Sequence, residues 1–426
     1  MRPVLVELFH AGVAAAAPGP ALEARLHDVV PAPNARRIWV VAAGKAAHAM
    51  AEAAMAHLDA TQGQFAGGLV IGPETRPLPA GGLQTLAGDH PIPGTRSAAA
   101  ARALDGLRRK VSRDDEVWVL LSGGATSLAA SPVDGVTVEE LAALYRILLT
   151  SGLGIADMNA VRKRFSSWGA GRLAVGLHPA RVRTFAISDV PGDEPAAVGS
   201  GPCSGDLSFA GDVRRILEEG GLWHRIPEAC RDLLRRVESD PARETPKPDH
   251  PALREAEWHL VASNKKSVEG VTRAAAARGL RPVDGGQLTG EAAITGRRLA
   301  QRLVEMEPGT CLVAGGETVV TISGGLAGTG GRCQELALAA AEVLAGAPGI
   351  GLLAAGTDGR DGPTDAAGAV VDNSTWDAVI AAGRDPSSAL AGHDSYPALE
   401  SAGALLRTGL TGTNVMDLVI GMRAPA

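Results

Sequence analysis

Two cations set behind glycine loops carry the chemistry this sequence can offer. Lys45 follows the apolar run Ile38 to Ala43 through Gly44, and Arg332 opens a helix directly after Gly328-Thr329-Gly330-Gly331. A glycine loop feeding a helix N-terminus leaves backbone N–H groups unpaired and aims the positive end of the helix dipole at one point. Such a place binds anions. An arginine in the first turn opposes the dipole by about a few tenths of a kcal/mol, a cost offset where the guanidinium meets a phosphate or carboxylate. Upstream, Cys311 to Ala314 reads as a strand, Gly315-Gly316-Glu317-Thr318 as a sharp turn, and Val319 to Ser323 as a second short strand leading to Gly324.

The other chemistry-bearing loops also follow apolar runs. Val117 to Leu121 ends in Ser122-Gly123-Gly124-Ala125-Thr126-Ser127, a loop rich in N–H and hydroxyl donors. Val182 to Ile187 runs into Asp189 and Asp193, and Ile350 to Ala355 into Asp358, Asp361 and Asp365. Carboxylates in glycine-rich loops suit a hard cation, and Mg²⁺ takes only one or two of them beside phosphate oxygens and water. Donor loops, aspartates and cations form the inventory of phosphoryl transfer, whose catalysis is positioning and charge neutralisation. No G-x-S-x-G elbow, no G-x-x-x-x-G-K-[ST] loop and no G-x-G-x-x-G opening a βαβ unit is present. The residues by themselves define an anion- and metal-binding α/β protein.

These loops need strands to hold them. With 426 residues, 45% of them hydrophobic and 21% charged, the chain exceeds one ordinary core, and two domains follow. Continuous apolar runs alternating with helical patterns imply α/β/α layering around a parallel sheet, with ligands beyond the carboxyl ends of the strands. The charged, proline-rich stretch from Arg235 to Pro251 reads as a linker between domains 1–240 and 250–426. Within the first, Met158 to Ala174 is expected to be mostly helical, and Thr137 with Glu140 spells a capping box. The net charge of −6 gives no global basic field and argues against nucleic acid as the main partner, and no run is long and apolar enough for a membrane span. Four dispersed cysteines without a C-x-x-C pair fit a reducing, cytoplasmic setting. Glu7 and His10 interrupt the apolar N-terminus, which argues against a secretory leader.

The motifs VVAAGKAAHAMAEA, AGDHPIP, LLSGGATSL, SDVPGDEPAAVGSGP, GGETVVTISGG with GGRCQELALAAA, GTDGRDGPTDAAGAVVD and TGTNVMDLVI resemble, in this order, those of the glycerate 2-kinases with a C-terminal MOFRL domain. The resemblance implies an N-terminal Rossmann-like parallel sheet, a C-terminal MOFRL-type mixed sheet, and an active site in the cleft between them. It further implies an ATP- and Mg²⁺-dependent kinase that makes 2-phosphoglycerate from D-glycerate or phosphorylates a close hydroxy-acid, with a homodimer as a possible assembly. The family's key lysine and arginine fall on Lys45 and Arg332. Nucleotide contacts are expected from Ser122, Gly123, Gly124, Thr126, Ser127, Gly315, Gly316, Glu317, Gly330 and Gly331. Asn159, Arg162, Lys163 and His90 are the acceptor-site candidates, with His90 either a base or a turn former. Asp189, Asp193, Asp358 and Asp361 are the metal candidates.

The chain departs from the family pattern at Ala125, Arg164, Gly169, Cys333 and Met416. Those at Arg164, Gly169 and Cys333 bear on the acceptor more than on the reaction. Two alternatives accompany the kinase reading: an NAD(P)-dependent hydroxypyruvate reductase, a name many such proteins carry, and a non-catalytic small-anion-binding homologue.

Overall fold

A computed structural model describes residues 1–29, 36–78, 81–322 and 328–425. By its contacts the chain forms two compact units, Pro18–Val261, and Met1–Ala17 together with Ala262–Ala426.

The first unit is built on six strands: β1 (Ile38–Ala43), β2 (Phe65–Gly72), β3 (Leu83–Ala87), β4 (Glu116–Leu121), β5 (Arg181–Ile187) and β6 (Glu257–Ala262). Their order is β3-β2-β1-β4-β5-β6, that of a Rossmann sheet. The pairs β2–β3, β1–β2, β1–β4 and β4–β5 are all parallel. Every residue of β1 and β4 is buried, as an apolar run covered on both faces requires. At their amino ends the buried Asp115 accepts hydrogen bonds from Arg37, Trp39 Nε1 (3.0 Å) and the Ser112 amide (2.8 Å), fixing where β1 and β4 begin.

A second apolar core lies under the helices of this unit and includes Leu141, Leu144, Tyr145, Phe165, Val213 and Leu234. Its helix Val138–Leu149 starts on the expected capping box between Thr137 and Glu140. The helical span expected over Met158 to Ala174 is two helices, Ile155–Arg164 and Arg172–Leu177. Between them the Arg172 guanidinium donates to the carbonyls of Lys163, Arg164, Ser166 and Gly169, which ends the first helix. The stretch read as a linker is tied down: Thr245 Oγ1 donates to Asp206, Lys247 Nζ to the Ser208 carbonyl, and Glu244 accepts from the Ala210 amide.

The second unit holds β7 (Arg281–Leu288), β8 (Thr310–Gly316), β9 (Ile350–Gly356), β10 (Gly368–Asp372), β11 (Leu405–Leu406) and β12 (Asp417–Arg423). Their order is β11-β10-β9-β12-β8-β7, with β7–β8 parallel and the other pairs antiparallel, a mixed sheet. The helix Arg2–Ala15 packs here: Leu5, Leu8 and Phe9 share a core with Val271, Leu418 and Ile420. Ser267 Oγ donates to the Gly12 carbonyl and Thr413 Oγ1 to that of Ala16. A division by sequence order at residues 240–250 assigns this helix to the first unit, because an amphipathic stripe does not declare which sheet it will cover. Among the described residues no single helix is long and apolar enough to cross a membrane.

Candidate active site

In the first unit the switch point of the sheet lies between β1 and β4, where strand order reverses and α/β proteins bind ligands. The loops that leave these two strands are bonded to each other. The Lys45 amide donates to the Gly123 carbonyl (2.9 Å) and the Ala46 amide to Ser122 Oγ (3.0 Å). Gly44 allows that approach: its φ is +128°, and a Cβ there would fall 2.2 Å from Ser122 Oγ. Lys45 is thereby presented at the carboxyl edge with an exposed side chain. The amides of Gly123 and Gly124 have no hydrogen-bond acceptor among the described residues. Two adjacent open N–H groups beside an ammonium form an anion cradle.

The cradle is narrower than the sequence implies. Ser122 is 2% exposed and spends its hydroxyl on the Ala46 amide, Ser127 Oγ donates to the Gly124 carbonyl, and Thr126 Oγ1 accepts from Ser200 Oγ (2.9 Å). The helix that follows, Ala125–Leu128, is one turn long, so it adds little dipole. Ala125 lies inside this turn, while the left-handed position before it is Gly124, so the alanine imposes no strain.

His90 lies in the loop after β3, beside Gly124. Burial, then the charges of Lys45 and Arg162, hold its pKa below the ordinary histidine value, so it is neutral near pH 7. Arg162 stacks over the Tyr145 ring (5.0 Å to the centroid), and its buried Nε has no partner among the described residues. Lys163 instead forms a buried 2.7 Å pair with Asp206. Arg164 is 1% exposed and joins Glu244 and Asp206, so this departure from the family pattern builds an internal ion network. Asn159 is half-buried on the same helix. Beyond β5, Asp189 is half-buried, and Asp193 closes a short turn with φ +55°, rare for a side-chain-bearing residue.

The Arg332 region of the second unit is built differently. Arg332 Nε and Nη2 donate to Asp417 (2.5 and 2.9 Å), and Nη1 lies 3.0 Å from Glu317. Burial works against the cation, but Asp417 and Glu317 outweigh it and raise the Arg332 pKa above its ordinary value. Gly315 and Gly316 end β8, where a Cβ on Gly315 would fall 2.0 Å from Asn264 Oδ1. The strand expected at Val319 to Ser323 is a single bridge from Val319 to Glu291, while Ser323 and Gly324 lie outside the described residues.

Asp361 is the main surprise at this helix. Its carboxylate accepts from the amides of Cys333 (3.1 Å) and Gln334 (2.7 Å), so the protein itself fills the expected anion site at the start of the helix Arg332–Leu344. Gly331 is needed for this, since its Cβ would lie 2.2 Å from Asp361 Oδ1. Burial, with Asp417 nearby, pushes the Asp361 pKa up to about 7. The Gly330 and Gly331 amides ahead of the helix have no acceptor among the described residues. Asp358 accepts from the Arg360 amide, and Asp365 takes hydrogen bonds from Tyr396 and Arg407.

Among the described residues no three His, Cys, Asp or Glu side chains gather as a ready-made metal site. Asp361 drops out as a ligand, because both its oxygens serve the helix.

A Rossmann-ordered sheet with a lysine and open amides at its switch point defines an anion-binding α/β enzyme, and comparison gives the family. Residues 4–235 match a family described as a domain of unknown function, DUF4147, and residues 310–417 match the MOFRL family. A D-glycerate 2-kinase of Thermotoga maritima is 36% identical over 99% of this chain and 98% of its own. A putative hydroxypyruvate reductase of Agrobacterium vitis is also 36% identical, over 98% and 93%. The crystal structure of glycerate kinase from Thermotoga maritima superposes with a TM-score of 0.86 over 99% of both chains, at 36% identity. The chain belongs to the glycerate 2-kinase family with a C-terminal MOFRL domain.

Proposed function

We propose that this protein is an ATP-dependent glycerate 2-kinase, transferring the γ-phosphoryl group of ATP to the 2-hydroxyl of D-glycerate to give 2-phosphoglycerate. The observation that carries the reading is Lys45 beside the open Gly123 and Gly124 amides at the sheet's switch point, in a chain that matches a D-glycerate 2-kinase along almost its whole length.

Phosphoryl transfer needs charge spread over the equatorial oxygens to be neutralised in place. Lys45 supplies a mobile point charge there, and the amides of Gly123 and Gly124 supply fixed dipoles. Arg332, held rigid by Asp417 and Glu317, presents what remains of its planar fork to the transferring group or the glycerate carboxylate. Arg162 is the better acceptor-carboxylate ligand, since Lys163 is committed to Asp206. His90 acts as a neutral hydrogen-bonding group that orients the acceptor, because Lys45 and Arg162 make its protonated form costly. Asp189 and Asp193, or in their place Asp358, would hold Mg²⁺ with the nucleotide. When bound, the ion neutralises the β- and γ-phosphate oxygens. All four cysteines are free and buried, which suits a cytoplasmic reaction.

Purified protein with ATP, Mg²⁺ and D-glycerate should release ADP and give the phosphorus NMR signal of 2-phosphoglycerate. NADH oxidation with hydroxypyruvate, followed at 340 nm without coupling enzymes, should stay at background. The reverse pattern would replace the kinase reading with the reductase one.

A further inference from the structure

The helical lobe of the 18–261 unit contains a cavity of about 480 Å³ whose lining includes four arginines, Arg164, Arg172, Arg236 and Arg243, against a single carboxylate, Asp134. Lys45, His90 and the Ser122 to Ser127 loop take no part in it. Its remaining wall is partly apolar, with Val133, Leu233 and Val237.

The guanidiniums are unevenly satisfied. Arg164, 1% exposed, pairs through its terminal nitrogens with Glu244, Asp206 and the Ser208 carbonyl, yet its buried Nε has no partner among the described residues. Ser167 Oγ, also lining the cavity, is buried and equally without a partner. Arg172 and Arg236 donate to backbone carbonyls and form no ion pair among the described residues, whereas Arg243 pairs with Asp240. A buried donor left without an acceptor is destabilising. Two arginines without a carboxylate beside a buried unsatisfied arginine Nε and serine hydroxyl therefore describe a site that lacks its anion.

We propose that this cavity is a second anion site, for a compact phosphate compound carrying at least two negative charges, separate from the residues proposed for phosphoryl transfer. Guanidinium forks match phosphate oxygens in pairs, and the volume exceeds that of a bare phosphate ion. The site touches the C-terminal turn of the helix Ile155–Arg164, which carries Arg162 two residues before Arg164. Occupancy therefore stiffens the mount of the proposed acceptor ligand and lowers the KM for glycerate. That consequence rests on the kinase reading; the binding does not.

Calorimetry with glycerol 3-phosphate and with inorganic pyrophosphate separates the possibilities, using sodium sulfate at matched ionic strength as control. One-to-one binding of at least one probe should persist in Lys45→Ala. It should weaken at least tenfold in Arg236→Ala and further in Arg236→Ala with Arg243→Ala. Both positions are exposed, so the fold should survive, with an unchanged melting temperature as the check. Binding that disappears with Lys45→Ala, that is unaffected by the arginine changes, that sulfate reproduces, or that is absent for both probes would overturn the proposal.

Discussion

The Lys45 and Arg332 regions share one sequence signature, a cation at a glycine loop after a buried strand, yet they differ in electrostatics. At Lys45 the side chain is exposed and two amides stand open beside it. At Arg332 the guanidinium is held by Asp417 and Glu317, and the helix N-terminus behind it is capped by Asp361. The first region keeps two backbone donors open; the second spends its helix N-terminus and its guanidinium on buried carboxylates. A cation paired with a buried carboxylate cannot be removed without disturbing structure, whereas an exposed one contributes little to stability.

This difference makes the largest predicted effect a double one. Arg332→Ala should lower kcat by about 10³ or more and also destabilise its unit by about 2–4 kcal/mol, because the buried Asp417 loses the guanidinium it is paired with. Lys45→Ala should lower kcat by about 10²–10³ with almost no change in melting temperature. Equal stability losses in the two variants would erase the distinction.

A smaller effect separates Lys163 from Arg162. Lys163→Met breaks a buried pair and should cost about 1–3 kcal/mol, softened because Asp206 keeps Arg164, Thr245 and Ser208. Its KM for glycerate should stay within about twofold, whereas Arg162→Met should raise KM about tenfold or more at unchanged stability. The smallest effect is a pH slope. With a folded pKa of about 7 against an ordinary 3.8, Asp361 keeps its proton in the folded chain where the unfolded chain has released it. Its contribution to stability is thus present below about pH 4 and declines as pH rises towards 7. His48, His57, His90 and His259, whose pKa values are lowered chiefly by burial, act with the opposite sign. The difference in melting temperature between the native chain and Asp361→Asn, followed from pH 4 to 8, isolates the aspartate. The native chain should lose roughly a few degrees more than the variant over that range.

What the sequence made legible was whatever a continuous apolar run encodes. Ile38 to Ala43 is β1 to the residue, and the runs before Ser122, Ser188, Gly315 and Gly356 all became strands. Their carboxyl ends then placed Lys45 and the Ser122 to Ser127 loop correctly at one edge of one sheet. Tertiary partners were not legible. Asp361 looked like a metal ligand because local spacing cannot show that it reaches back 27 residues to the Gln334 amide. Lys163 and Arg164, which with Arg162 make a run of three cations, gave no sign of their ion pairs because Asp206 and Glu244, their partners, lie 42 to 80 residues away along the chain. Arg162, stacked on Tyr145, was the exception among the three, and only its neighbours distinguish it.

The central claim is that the Lys45 cation, set beside the open Gly123 and Gly124 amides, neutralises the transferring phosphoryl group. Steady-state kinetics with ATP and D-glycerate, comparing Lys45→Ala with Lys45→Arg, test it. The account predicts that Lys45→Ala loses about 10²–10³ in kcat and that Lys45→Arg, which keeps a cation there, recovers about tenfold or more of that loss. Near-native turnover in Lys45→Ala would contradict it.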